Sequence, residues 1–298
     1  MTVKETYRTV QEGYGKYAKG YDQDLQSSEY SRKVATAFGY SPEELASIPD
    51  GSNMGLGCGN PTATAKLRPG ETVIDLGSGA GFDVFLAAKK VAPNGKAIGV
   101  DMNEDMLKRA HANAQKTKIS NVEFVESPIN AIALPSACAD CIISNCVINL
   151  VPEDDKPAVF REIFRLLRPG GRVAVSDILA KKELPGALKN DMALYVGCIS
   201  GASQVHQYEQ YLKDAGFEDT VIVNKESDLN VYKEGSLMDD QGRVSSSKDE
   251  APAGCCGSSC SRDGEVKNGA EGAESTMEYD INEWVGKFKE RPTTEAES

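Results

Sequence analysis

Three cysteines stand alone in separate loops of the sequence, and thiols are groups that can do chemistry. Cys58 lies between two glycines in MGLGCGNP, Cys146 follows an apolar run in IISNCVINL, and Cys198 follows a glycine in YVGCISGA. Small neighbours leave a thiol accessible, and thiols kept reduced serve soft-metal binding, redox chemistry or neither. Each cysteine alone is a weak signal, because a cysteine after a buried strand is more often a packing residue.

Two further cysteines, Cys138 and Cys141, are separated by two residues, which is the spacing of half a zinc site. No second pair follows at the distance that a zinc ribbon requires. The only imidazole groups are those of His111, on an amphipathic helix, and His206, in a polar turn. We therefore predict that both cysteines are buried packing residues at the start of a strand and that both histidines are solvated.

A glycine-rich turn follows the first apolar strand in VIDLGSGAGFD, where Asp75 precedes Gly77, Gly79 and Gly81. Glycines let the backbone adopt positive φ and approach a ligand closely. The next strand ends in Asp101, at the usual distance for an acid that hydrogen-bonds a ribose. The glycines are one residue short of a dinucleotide fingerprint, and an acid before the loop would repel a pyrophosphate. An acid at this position suits a ligand that carries an ammonium and a sulfonium group, so we predict S-adenosylmethionine rather than a nicotinamide cofactor.

The residues around this turn have expected places along the cofactor. Asp75 and Asp83 would face its methionine end, and Asp101 would bind the ribose hydroxyls. Met102 would lie against the adenine. Alternatively, Asp83 is an exposed acid in the first turn of a helix, where the helix dipole favours it, and Met102 is a packing residue. Tyr14 either helps close a lid over the cofactor or packs within its helix. The remaining candidate contacts are Ser78 in the glycine loop, Ile129 and Asn130 through backbone groups at the adenine edge, and Asn145 beside Cys146.

The elements that would position these residues alternate between strand and helix from Thr62 to Leu179. Strands are predicted at residues 71–76, 95–101, 121–127, 139–145 and 172–179, and helices at 82–92, 103–117 and from 156 to the Pro-Gly-Gly run at 169–171. This alternation predicts an α/β fold, a doubly wound, Rossmann-like parallel sheet with helices on both faces. Because open sheets of this kind bind ligands at the carboxyl edge of their strands, Cys146 would face the cofactor's reactive methyl group.

Composition and charge limit the partners. The formal net charge of −12 repels phosphate backbones, and no basic patch is visible, so a nucleic-acid partner is not expected. The first residues lack the apolar core of a signal peptide, and the longest apolar run, CIISNCVINLV, is too short to cross a bilayer. We expect a cytoplasmic monomer with reduced thiols and no membrane partner.

From about Gln11 to Asn230 the chain resembles the arsenite S-adenosylmethionine methyltransferases, which belong to the class I methyltransferases. The motifs that carry the resemblance are DLGSGAGFDVFLAAKKV, IGVDMNEDML, ISNCVINLVP, ELPGALKNDMALYVGCISGA and GCGNP. The glycine loop indicates only the broad methyltransferase class. ISNCVINLVP and GCISGA, in the right order and place, are far more specific.

The resemblance implies a role for the three lone cysteines. Trivalent arsenic is thiophilic and prefers three sulfur ligands in a pyramid, because soft ligands select soft centres. Cys58, Cys146 and Cys198 would bind As(III), delivered as arsenite or its glutathione conjugates, and its lone pair would attack the sulfonium methyl. Repeated transfers would give mono- and dimethylated arsenic, with trimethylated arsenic as a further product, in arsenic detoxification. The resemblance also implies that a disulfide between cysteines keeps the product trivalent and that thioredoxin or glutathione then restores the thiols.

In one respect the sequence departs from the family. Many relatives carry a further cysteine in the N-terminal loop, whereas the corresponding stretch here, DLQSSEYSR, has none. Cys58 would then form a disulfide with another thiol or rely on an external reductant. The tail motif CCGSSC either captures arsenic or has no specific role; its thiols are Cys255, Cys256 and Cys260.

Composition and element pattern divide the chain into five segments. We assign residues 1–60 to an N-terminal helical cap with an arsenic-binding loop, 61–180 to the cofactor-binding core and 181–233 to a smaller substrate region. Residues 234–276, rich in Ser, Gly, Asp and Glu, are predicted to be a disordered linker that contains the tail cysteines. Residues 277–298 would dock back on the domain through one apolar face, formed by Tyr279, Ile281, Trp284, Val285 and Phe288.

Two other functions fit the same residues. One is a methyltransferase for another small molecule, although SNCVINLVP supplies no obvious acid or base for it. The other is a thiol-based metalloid-binding protein without turnover, against which Asp75, the glycine loop and Asp101 argue. Consumption of cofactor on addition of arsenite separates an arsenite methyltransferase from a metalloid-binding protein without turnover.

Overall fold

The computed structural model describes residues 2–20, 25–117, 119–189, 195, 198–225 and 285–290 of the chain. In this part of the chain the strands form one seven-stranded sheet in the order β3-β2-β1-β4-β5-β7-β6. The strands are β1 (Thr72–Leu76), β2 (Lys96–Asp101), β3 (Val122–Glu126), β4 (Ala139–Asn145), β5 (Leu167–Ala180), β6 (Ile222–Asn224) and β7 (Val285–Glu290). The first five pair in parallel, whereas β7 pairs antiparallel with both β5 and β6. The predicted doubly wound α/β fold is confirmed.

The helices connect these strands and cover the sheet. They are α1 (Val3–Gly20), α2 (Leu25–Ala37), α3 (Pro42–Ala46), α4 (Pro61–Thr64), α5 (Phe82–Val91), α6 (Glu104–Gln115), α7 (Lys156–Leu166), α8 (Gly186–Lys189) and α9 (Val205–Ala215). Local sequence accounts for several of their ends. Ser41 and Glu44 form a capping box at the start of α3, and Gly216, with φ of 106°, ends α9 in the left-handed conformation that glycine favours.

The core lies on both faces of the sheet because successive strand residues point in opposite directions. In β1, Ile74 packs towards α7 and α9 in one apolar cluster, with residues such as Phe160 and Tyr208. Its neighbour Val73 packs on the other face against Val84 and other residues of α5. The strands are thereby fixed in register, and their carboxyl ends form one edge.

Three sequence predictions are wrong in detail. Helix α7 ends at Leu166 instead of continuing to the Pro-Gly-Gly run, because the residue before a proline avoids the helical conformation and Leu167 pairs with Ala139 in the sheet. Cys141 is buried as predicted, whereas Cys138, which packs against the core just before β4, is only half-buried. His206 lies in the first turn of α9 rather than in a loop, because Gln204 caps that helix. Both His206 and His111 are exposed, as predicted.

Several predictions fall outside the part of the chain that the structure describes. They concern the linker at 234–276 with Cys255, Cys256 and Cys260, and the aromatic and apolar residues Tyr279, Ile281 and Trp284. Across the described ranges, every helix is too short or too polar to span a membrane.

Candidate active site

An open cleft lies at the carboxyl edge of β1, β2 and β4. The glycine loop after β1 forms its floor. Gly77 has φ of 67°, and a Cβ there would collide with the side chain of Val147, so that the turn can hold only glycine. Gly79 has φ of 51° and lines the cleft, as does Ser78, whose buried hydroxyl has no hydrogen-bond partner in the described structure.

Three carboxylates face this cleft: those of Asp75 and Asp83 are buried, and that of Asp101 is half-buried. Burial is the main cause that raises the pKa of each, and for Asp75 the negative charges of Asp83 and Asp101 raise it further. The pKa of Asp83 is raised to about 6, although hydrogen bonds from Asn145 and Tyr40 oppose the effect of burial. Like charges held together in a buried site are stabilised by a cation. The arrangement therefore suits a ligand that carries positive charge at this end, as S-adenosylmethionine does.

The backbone orients Asp101. Its two carboxylate oxygens accept hydrogen bonds from the N–H groups of Gly79 and Asn103, each at 2.8 Å. Helix α1 crosses above this point, where Gln11 donates to the carbonyl oxygen of Met102 at 3.2 Å and accepts at its own carbonyl from Asn103 at 2.8 Å. The N-terminal helix is thus tied to the strand end that carries the acid.

A second network joins the cleft to the Cys58 turn. The side-chain oxygen of Asn145 accepts from the backbone N–H groups of Cys58 and Gly59, at 3.0 and 3.1 Å. Its amide nitrogen donates to Asp83 at 3.0 Å, and the Tyr40 hydroxyl donates to the same carboxylate at 2.7 Å. Asn145 therefore fixes the Cys58 turn beside the end of β4 as well as lining the cleft.

The three lone cysteines meet at one end of this cleft. Cys58 and Cys146, 88 residues apart, are joined by a disulfide bond with a Cα–Cα distance of 5.5 Å. The thiol of Cys198 donates to the carbonyl oxygen of Cys146 at 2.6 Å. All three side chains are buried. With the disulfide closed, no group of three His, Cys, Asp or Glu side chains in the described ranges is set to hold a metal ion.

Backbone conformation singles out two of these cysteines. In the described chain the non-glycine residues with positive φ are Lys66, Ala137, Cys146 (60°) and Cys198 (65°). Such a conformation is unfavourable for a residue with a Cβ, and it concentrates at functional sites where the surroundings enforce it. Half of these outliers are cysteines of one cluster, which indicates that the fold holds their thiols in place at some cost in stability.

The Cys198 thiol lies in an environment that keeps it protonated. Burial raises its pKa far above the ordinary range, and repulsion from Asp177 adds to this, while a hydrogen bond from the Tyr14 hydroxyl opposes it. Tyr14 also lines the cofactor cleft. A soft cation that displaces the proton would remove the cost of a buried thiolate, because ligation neutralises it.

The structure brings most of the predicted site residues together. The predicted residues that line the cleft are Tyr14, Asp75, Gly77, Ser78, Gly79, Asp83, Asp101, Met102, Ile129, Asn145 and Cys146. Gly81 caps α5, and a Cβ there would meet Phe85 at 2.8 Å, so that its role is packing. The side chain of Asn130 donates to Tyr7, at 2.9 Å, and to Asp155, while the contact of its backbone with the cofactor stays a prediction.

Sequence reasoning missed several residues of the site. Tyr7 and Leu56 line the cleft, Tyr40 bonds to Asp83, and Asn149 donates to the loop that carries Cys198. Asn149 had a signal, since it lies three residues after Cys146 in the most specific motif. Tyr7, Tyr40 and Leu56 contact residues that are distant from them in sequence, so no local pattern could predict these contacts.

The comparisons with known proteins agree with this site. A family model described as methyltransferase domain matches residues 67–216, which is half of the chain. The chain is 43% identical over 216 residues to an arsenite methyltransferase of Halobacterium salinarum, which covers 72% of this chain and 55% of that protein. It is 35% identical over 224 residues to an arsenite methyltransferase of Aquipseudomonas alcaligenes, covering 73% and 63%. The chain thus spans less than two thirds of the length of either relative.

A solved structure is similar in fold. It is an arsenic(III) S-adenosylmethionine methyltransferase from Chlamydomonas reinhardtii, with a TM-score of 0.56, 24% identity, and coverage of 89% of this chain and 74% of that one. The fold, the glycine loop with its acids and the family match define the class: the chain belongs to the S-adenosylmethionine-dependent methyltransferases of the methyltransferase-domain family. Within that class, its resemblance to the arsenite methyltransferases is confirmed by these relatives.

Proposed function

We propose that this protein is an arsenite methyltransferase, which transfers methyl groups from S-adenosylmethionine to trivalent arsenic held by Cys58, Cys146 and Cys198. The observation that carries the proposal is the meeting of three cysteines from separate segments at the end of the cofactor cleft. The relatives named arsenite methyltransferase support the same substrate.

The chain offers distinct groups to each part of the cofactor. Asp101, oriented by Gly79 and Asn103, would accept hydrogen bonds from the ribose hydroxyls. Asp75 and Asp83 would stabilise the cationic methionine end, where their carboxylates are buried. The aliphatic and thioether surfaces of Ile129 and Met102 would hold the adenine, together with backbone groups of Ile129 and Asn130. When bound, S-adenosylmethionine would supply an electrophilic methyl group, which the arsenic lone pair would attack with loss of S-adenosylhomocysteine. Arsenic would then be formally pentavalent, and departure of two of its thiolates as a disulfide would return it to the trivalent state before a second transfer.

The cysteines must be reduced before three sulfur atoms can bind arsenic, because Cys58 and Cys146 are joined in a disulfide. Two equivalents of a thiol reductant would convert this bond to two thiols and leave as their own disulfide. As(III) then replaces the protons of three thiols, which removes the cost of burying a thiolate at Cys198. The arsenic nucleophile carries no proton, so that no general base is required. Catalysis rests on positioning and on the exclusion of water, effects that can supply on the order of 7–11 kcal/mol.

The proposal extends to partners and location. Arsenite or its glutathione conjugates would be the substrate, thioredoxin or glutathione the reductant, and mono- and dimethylated arsenicals the products. A cytoplasmic location fits the need for reduced thiols. The tail thiols Cys255, Cys256 and Cys260 would capture arsenic before it reaches the cleft.

The test is arsenite-dependent formation of S-adenosylhomocysteine by the reduced full-length protein. Cys198→Ser should abolish it, while calorimetry shows cofactor affinity within about threefold of the native protein, a change below 1 kcal/mol. Full activity of Cys198→Ser would refute the assigned role of the thiol. Tight arsenite binding without any cofactor consumption would instead favour a metalloid-binding protein.

A further inference from the structure

One buried asparagine connects the segments that carry the second and third cysteines. Asn149, in the short helical turn Ile148–Leu150 just after Cys146, is fully buried. Its side-chain nitrogen donates to the carbonyl oxygen of Cys198 at 3.1 Å and to that of Ile178, in β5, at 2.6 Å. The amide thus spans from the sheet to the loop whose thiol would complete the arsenic site.

Asn149 is not explained by stability alone. Its side-chain oxygen is buried and has no hydrogen-bond partner in the described structure. A buried acceptor without a partner costs free energy, so an asparagine is a poor choice for filling this space. What it provides is a pair of directed N–H donors, one of which holds the residue that has the strained φ of 65°.

The same region grips the Cys198 loop at further points. A Cβ on Gly201 would collide with the backbone carbonyl of Asn149, so that the loop lies directly on this turn. The buried ammonium of Lys156, at the start of α7, donates to the carbonyl oxygen of Gly201 at 2.5 Å and to the hydroxyl of Ser203 at 2.7 Å. The Tyr195 hydroxyl donates to the carbonyl oxygen of Leu150 at 3.2 Å.

At the other end of the same segment, Asn145 holds the Cys58 turn through the N–H groups of Cys58 and Gly59. The five residues from Asn145 to Asn149 therefore contain Cys146 and an asparagine at each end. The Asn145 amide contacts the backbone of Cys58, and the Asn149 amide contacts the backbone of Cys198. A pyramidal ligand set needs fixed spacing between its three donor atoms, because an unrestrained loop would lose conformational entropy on binding.

We propose that Asn149 is a positioning residue that sets the place of the Cys198 thiol relative to Cys146. Together with Asn145, it makes one five-residue segment the common support of all three thiols. This inference rests on the proposed function only for the identity of the guest atom, since the geometry of the thiols can be measured without arsenic.

The test is a double-mutant cycle in the full-length protein with the three tail cysteines changed to serine, under reducing conditions. Equilibrium dialysis measures the affinity for arsenite. In this parent protein Asn149→Ala should weaken binding by about tenfold or more. When Cys198→Ser is already present, it should weaken binding by less than about twofold, since the thiol that Asn149 positions is then gone. Equal losses in both backgrounds would overturn the proposal.

A matched control separates positioning from general loss of stability. Asn121 also donates its amide to two backbone carbonyls, those of Ala88 and Gly95, at 2.8 and 2.9 Å, away from the cleft. Asn121→Ala should leave arsenite affinity within about twofold of the parent value. A loss equal to that of Asn149→Ala would show that any missing amide weakens the site, and would contradict the inference.

A second measurement needs no arsenic. In a Cys58→Ser background, a bifunctional thiol reagent should cross-link Cys146 to Cys198, and Asn149→Ser, a smaller change that retains a hydroxyl donor, should reduce the yield severalfold. An unchanged yield would overturn the proposal. If the parent protein fails to bind arsenite, the proposed function is wrong, and the cross-linking yield alone decides the role of Asn149.

Discussion

The buried carboxyl group of Asp177 makes the stability of the fold depend on pH. Asp177 lies in β5, where its side chain is 2% exposed. One carboxyl oxygen accepts from the Tyr208 hydroxyl at 3.1 Å, and the other has no partner in the described structure. Burial raises its pKa to about 7, although Tyr208 and the charge of Lys156 oppose the shift. Folding therefore favours the protonated acid.

The sign and size of the effect follow from this pKa. The unfolded chain releases the proton near pH 4, whereas the folded chain keeps it until about pH 7. The stabilising contribution is complete below pH 4 and is lost as pH rises through 7, because the unfolded state binds fewer protons over that interval. Between pH 5 and pH 7 the loss amounts to about 3 kcal/mol, at roughly 1.4 kcal/mol per pH unit, and little more is lost between pH 7 and pH 8.

Asp177→Asn should remove this dependence, since an amide keeps an acceptor for Tyr208 and does not ionise. We expect the free energy of unfolding in urea to fall between pH 5 and pH 8 by about 3 kcal/mol less in Asp177→Asn than in the native protein. The exposed Asp154→Asn is the control and should follow the native curve. Parallel curves for Asp177→Asn and the native protein would refute the reasoning.

Three further substitutions test the cofactor cleft. Asp101→Asn should weaken S-adenosylmethionine binding by about tenfold to a hundredfold in calorimetry, because hydrogen bonds to a charged group contribute about 1.5–3 kcal/mol; unchanged affinity would exclude Asp101 from the site. Tyr40→Phe removes the hydrogen-bond donor to Asp83 and should lower the free energy of unfolding by about 1–3 kcal/mol. A loss below about 0.3 kcal/mol would contradict the contribution of this hydrogen bond to stability. Gly77→Ala places a Cβ against Val147 at positive φ and should cost about 2 kcal/mol or more, together with cofactor affinity; a native-like melting curve would disprove the steric argument.

The sheet and its cofactor edge could be predicted because their signals are local. Apolar runs ending in Asp75, Asp101 and Asn145 locate the strand ends to within a residue or two, and the glycine loop announces a backbone that needs positive φ. The extension of β5 back to Leu167 could not be predicted in this way, because it depends on pairing with Ala139 in another strand.

The site was only partly predictable for a similar reason. Spacing gave no indication that the sulfur atoms of Cys58 and Cys146 would be bonded across 88 residues; only the family resemblance brought the three cysteines together. The left-handed backbone at Cys146 and Cys198 is invisible in sequence, since glycine or asparagine is the residue expected there. The contact of Asn149 with the Cys198 loop arises from tertiary packing alone.

The most direct test of the central claim is mass-resolved analysis of arsenic species made by the reduced full-length protein from arsenite and methyl-labelled S-adenosylmethionine. We expect labelled mono- and dimethylated arsenic from the native protein, with one label per S-adenosylhomocysteine formed, and no labelled arsenic from Cys146→Ser. Two results would contradict the central claim. One is that the native protein leaves arsenite as the sole arsenic species, and the other is that Cys146→Ser forms labelled product at the native rate.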